Sequence, residues 1–140
     1  MSANTKFVEI YDLFLAQIDD YEIALVDEEE SEYVLSRYLK NALPHIFSLN
    51  IDVNNINFEL NEFNNELNYV QKAIVAKAMT LEWVRTRLRR AELMERDIGD
   101  RDYTAIQGTG YLKELNIIEE RLNGEIRQMV IDYSYQKGLF

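Results

Sequence analysis

Apolar residues recur at helical spacing along four stretches of the chain. Phe7, Ile10, Tyr11, Phe14, Leu15 and Ile18 fall on one stripe and predict a first helix over about 5–18. A connector at 19–26 follows, carrying Tyr21, Ile23 and Leu25. Asp27 and Glu30 then have the spacing of a capping pair, and the carboxylates of Glu28, Glu29 and Glu30 suit the positive end of a helix dipole. Val34, Leu35, Tyr38, Leu39, Ala42 and Ile46 continue as a second helix, and Pro44 predicts a kink or its approaching end. The third helix is expected to start near Asn68, with Gln71 in the capping-box position. Its residues Leu67, Val70, Ile74, Ala78 and Leu81 make one stripe, while Val75, Met79 and Trp83 occupy other faces, so it reads as central and buried. That burial is expected to end at Arg85, with 91–98 as a short further turn of helix and 99–110, which holds Gly99, Gly108 and Gly110, as a loop. The last helix, about 111–133, has the clearest period: Leu112, Leu115, Ile118, Leu122, Ile126, Met129 and Tyr133. Gly124 inside it costs about 1 kcal/mol relative to alanine, which points to close packing against a neighbour or to no role at all.

The helical period breaks at 49–60. Leu49, Ile51 and Val53 alternate with polar residues, Asn54-Asn55 intervenes, and Ile56, Phe58 and Leu60 alternate again. A two-residue turn at the asparagines would set Val53 opposite Ile56 and Ile51 opposite Phe58, all on one face of a β-hairpin. The alternative is an Asn-rich loop pinned to the core by the same apolar residues. The chain is therefore expected to be all-α, a four-helix connector-type bundle with long central and C-terminal helices, forming one domain over 1–133 and a flexible docking tail over 134–140.

Composition narrows the function classes. The chain has 140 residues, one proline, no cysteine and a formal net charge of −10. Without cysteine there is neither a disulfide nor a thiolate zinc site. The first six residues lack the basic start and long apolar core of a signal peptide, and no apolar run approaches the roughly 18 residues of a membrane span. The net charge opposes tight nucleic-acid binding by a lone copy. Charge is also segregated. Residues 1–32 hold ten carboxylates against one lysine, Lys6, whereas Arg85, Arg87, Arg89 and Arg90 make four of the six residues from 85 to 90. Such polarity suits copies or partners that dock acid to base, with Asp27, Glu28, Glu29 and Glu30 as candidates on the acidic side. The arginines are also compatible with a solvated helix end or, less well among Glu82, Glu92 and Glu95, with phosphate contacts.

Catalytic constellations are missing from the sequence. His45 is the only histidine and has no clustered ligands or hydroxyl nucleophile in a recognisable motif. Gln107-Gly108-Thr109-Gly110 is too short for a phosphate loop and lacks the following lysine. The chain is expected not to be an enzyme and to use no cofactor and no metal. Nine tyrosines are many, and tyrosine anchors interfaces through its ring while its hydroxyl stays wet. Tyr135, Leu139 and Phe140 are the best candidates for apolar surface needing a cover.

The third and fourth helices carry a resemblance. Glu66-Leu67, Ala73-Ile74 and Ala78-Met79-Thr80-Leu81-Glu82-Trp83 lead to Ile98-Gly99-Asp100-Arg101-Asp102-Tyr103, then Tyr111-Leu112-Lys113-Glu114-Leu115 and Asp132-Tyr133-Ser134-Tyr135. This pattern resembles the small helical head–tail connector proteins of tailed bacteriophages, the adaptor or head-completion proteins of the neck. It covers roughly residues 60–135, with a weaker echo in 7–48. The resemblance implies a virion structural protein, assembled from the host cytoplasm as a dodecameric ring beneath the portal of a filled head. Its implied partners are further copies of itself, the portal, and a stopper or tail-completion protein. DNA would pass through the channel without sequence-specific binding, and the C-terminal segment would dock on the portal. A hairpin at 49–60 departs from the simplest helical members. The competing expectation is a small helical regulatory or interaction protein acting as a dimer.

Overall fold

The computed structural model describes residues 4–18, 28–45, 56–64, 66–98 and 108–136. In chain order they form β1 (Thr5–Lys6), α1 (Phe7–Leu15), α2 (Glu28–Ala42), β2 (Ile56–Asn57), β3 (Glu62–Phe63), α3 (Tyr69–Ile98) and α4 (Gly108–Gln136). The fold is mostly helical, with one sheet of two-residue strands.

α3 is the axis of the molecule, and α1, α2 and α4 all pack on it. Its start is set by a capping box: the Asn68 N–H donates to Gln71 Oε1 and the Gln71 N–H donates to Asn68 Oδ1, both at 2.9 Å. The core joins Phe7, Ile10 and Phe14 of α1 and Leu39 of α2 to Ile74, Val75, Met79 and Leu81 of α3. α4 runs antiparallel to α3, since Lys77 pairs with Glu125 while Arg85, eight residues later, approaches Glu119. It buries Leu115, Leu122, Ile126 and Tyr133, the period seen in the sequence.

Several boundaries differ from expectation, each for a local reason. The first helix begins at Phe7, because Thr5 and Lys6 pair with Phe63 and Glu62 as a strand and the Thr5 hydroxyl accepts the Leu67 N–H at 2.8 Å. α2 ends at Ala42 and the chain tightens into a 3₁₀ turn over 43–45, where Pro44 has no N–H to continue the helix. The hairpin is shifted: Ile56 and Asn57 pair with Phe63 and Glu62 around a turn at 58–61. Asn57 Oδ1 accepts the N–H groups of Glu59 and Leu60, and Asn61 takes a positive φ of 54°, so this turn is built by asparagines other than Asn54-Asn55. Residues 49–55 lie outside the described residues.

α3 is one unbroken helix to Ile98, so 91–98 is not a separate turn and burial does not stop at Arg85. Val84, Leu88 and Ala91 carry the buried stripe onward between the arginines. α4 begins at Gly108, inside the expected loop, and continues through Gln136. The expected tail therefore does not start at 134: Ser134 is buried in the last turns of the helix, and Tyr135 stands exposed beside it. A Cβ at Gly124 would meet nothing within 4 Å among the described residues, so none of them requires a glycine there.

Candidate functional site

The four arginines do not form one patch. Successive helical residues are turned by about 100°, so a run of six spreads its side chains around the whole helix. Arg85 points between α3 and α4, with one guanidinium nitrogen 3.2 Å from Glu82 Oε1 and Nε 4.0 Å from Glu119 Oε1. Arg87 lays its guanidinium over the Trp83 ring, 4.4 Å from the centroid. Trp83 and Arg87 face a groove of ≈ 470 Å³ between α3 and α4, floored by Val84, Leu115, Ile118 and Leu122 and edged by Lys77 and Arg121. Arg89 and Arg90 turn the other way, toward α2.

There they meet a residue that sequence reasoning missed. Arg37 of α2 shares with Arg89 and Arg90 a cleft of ≈ 250 Å³, whose walls include Tyr38, Asn41, Thr86 and Glu82. Arg37 also lies over the Tyr33 ring at 6.0 Å. Only the α2–α3 packing brings Arg37 into line with the arginine run. The one sequence signal was its position beside the buried stripe of Leu35 and Leu39.

Glu82 is the hub beneath this cleft. Its Oε1 lies 2.9 Å from His45 Nε2 and 3.2 Å from an Arg85 guanidinium nitrogen, so the carboxylate is engaged on both sides. His45 is thereby a packed histidine that pins the end of α2 to α3. Among the described residues no group of three or more His, Cys, Asp or Glu side chains could hold a metal ion. No helix there is long and apolar enough to cross a membrane.

On the acidic side, Glu29 and Glu30 are exposed at the start of α2. Asp27 and the Glu28 side chain lie outside the described residues, as do Leu139 and Phe140. Tyr135 is 79% exposed. Near the α1 end, Glu9 accepts from Lys72 Nζ at 3.0 Å and from the Lys6 N–H at 3.1 Å, and these bonds, the lysine's first, hold its carboxyl below the ordinary value. The Tyr11 hydroxyl is buried with no hydrogen-bond partner among the described residues, and burial, reinforced by nearby Glu32, pushes its ionisation up.

Compared with known proteins, the chain matches no protein-family model, no curated protein and no solved structure.

Proposed function

We propose that this chain is a structural protein of a tailed-phage neck, whose copies form a ring joining the portal of the filled head to the stopper or tail. The observation that supports it is the outer face of α4. Ile117, Ile131 and Tyr135 stand in solvent there, although the helix already has a complete inner stripe for packing on α3. Large apolar side chains set along one rigid helix are the surface of a subunit that neighbours cover. The long α3–α4 pair, each helix about 45 Å by its rise, supplies a stiff strut for such an assembly.

In this reading the protein works by geometry and charge, not by chemistry. A net charge of −10 lets a DNA polyanion slide through a lumen without sticking. Tyr135, at the exposed last turn of α4, is the described part of the portal-docking segment, with Leu139 and Phe140 beyond it. Negative-stain microscopy of the purified protein, alone and mixed with portal, tests the proposal. Rings alone, or a ring seated on the portal, are expected. A small dimer that ignores the portal would overturn it and favour a dimeric interaction protein.

A further inference from the structure

We propose that two copies of the chain pair through the outer face of α4, with the helices antiparallel and Gly124 of each copy at the two-fold axis. The pair is a state of the free chain, argued from α4 alone and apart from the neck reading.

A two-fold axis across antiparallel helices sets each residue level with the partner residue equally far beyond the axis. The outer face of α4 follows that rule about Gly124. Ile117 and Ile131, both exposed, stand seven residues before and after it. Seven residues make nearly two full turns, so the three share one line along the helix. That line is turned away from the buried stripe of Leu115, Leu122 and Ile126. In the pair, Ile117 of one copy lies level with Ile131 of the other. Lys113 and Tyr135, both exposed, stand eleven residues before and after Gly124, which sets an ammonium level with a ring.

The charges obey the same symmetry. Glu120 lies four residues before Gly124 and Arg127 three after, on one flank of the line. Antiparallel pairing about the axis keeps like flanks together, so Glu120 meets Arg127 of the partner, within about 1.5 Å in height, and the contact occurs twice. Both side chains are exposed. Within α4 the positions three and four residues from each hold only Asn, Gly, Ile and Val, so neither has a counter-charge one turn away. Gly124 fits the same scheme. Glycine weakens a helix interior relative to alanine, and no described residue needs the space where its Cβ would be. A second helix packed there, its axis about 8–10 Å away, does need it. A foreign partner imposes no relation between the two halves of a helix, whereas a second copy of the chain imposes this one.

Sedimentation equilibrium of the full chain tests the pair, with circular dichroism to confirm folding. A dimer is expected for the wild type. Glu120→Arg and Arg127→Glu each set like charges together and should weaken it about tenfold. Mixed one to one, or combined in one chain as E120R/R127E, they restore opposite charges at both contacts and should restore the affinity. Parallel helices would instead set Glu120 beside its own copy, and Glu120→Arg would then strengthen the dimer. The chain has no cysteine, so Gly124→Cys places a single thiol at the axis. Oxidised glutathione should link it into a covalent dimer at least tenfold faster than Glu92→Cys, an exposed control on α3. A monomeric wild type, a dimer strengthened by Glu120→Arg, single variants that pair normally, or a folded double variant that fails to recover would each overturn the proposal. Where a charge variant unfolds the chain, the cysteine decides: linking at 124 no faster than at 92 would overturn it. Pairs that ignore the portal would keep this inference and discard the neck reading. Portal-bound rings from a chain that never pairs would do the reverse.

Discussion

His45 Nε2 lies 2.9 Å from Glu82 Oε1, and this contact ties the turn that ends α2 to the middle of α3. Glu82 is largely buried, so the histidine and Arg85 satisfy a carboxylate that water reaches poorly. Replacing Glu82 with alanine should cost about 1–3 kcal/mol, the range for hydrogen bonds to charged groups. Arg85→Ala removes a more exposed partner and should cost less than about 1 kcal/mol. Urea unfolding of both variants checks the order, and equal costs would mean that Glu82 is not the hub.

Ile74 is fully buried on the face of α3 turned to the core. Truncation to alanine leaves a cavity among close-packed neighbours and should cost about 2–5 kcal/mol. A measured loss below about 1 kcal/mol would show that α3 is not the central helix.

Gly124 lies within α4, with open space where a Cβ would go. Gly124→Ala should therefore stabilise the isolated chain by about 0.5–1 kcal/mol, through lower backbone entropy in the unfolded state. A higher thermal midpoint is the expected outcome, and a lower one would reveal packing on that face.

The Tyr11 hydroxyl is buried without a hydrogen-bond partner among the described residues. Tyr11→Phe keeps the ring beside Phe7 and removes the unsatisfied group. Stability should be unchanged or rise by up to about 1 kcal/mol in chemical denaturation. A loss greater than that would mean the hydroxyl has a partner in solution.

Glu9 is held below its ordinary ionisation by Lys72 and the Lys6 N–H. A carboxyl lowered on folding contributes stability that is fully present above its unfolded value, near 4.5, and lost as pH falls through the lower folded value. The carboxylate is about half exposed, so the increment is small. Glu9→Gln should lower stability slightly at neutral pH and flatten the acid limb of the stability curve. An unchanged acid limb would show that the pair is not formed in solution.

The helices were legible because each has to bury one stripe against a neighbour, and a stripe is a local property of the sequence. Leu112 through Tyr133 announced α4, and Asn68 with Gln71 announced the start of α3, since a capping box spans only four residues. The ends were less legible. The arginines masked the continuing stripe of Val84, Leu88 and Ala91, because alternation of charge and apolar residues on a helix surface reads as exposure until the partner helix is known. The hairpin was sensed in the right region but in the wrong register, for a reason of the same kind. Which asparagine takes a positive φ depends on whether β1 and β3 are there to pair, and β1 comes from 58 residues earlier.

The sequence alone determined what this protein is made of: a mostly helical, cysteine-free chain with a segregated charge and a single histidine. Tertiary structure alone decided where the charge goes. Four arginines adjacent in sequence were sent to different surfaces by helical rotation, and Arg37, distant in sequence, was brought to two of them by the docking of α2 on α3. Composition sums charges regardless of direction, whereas a binding site depends on direction, and direction is set only when helices pack.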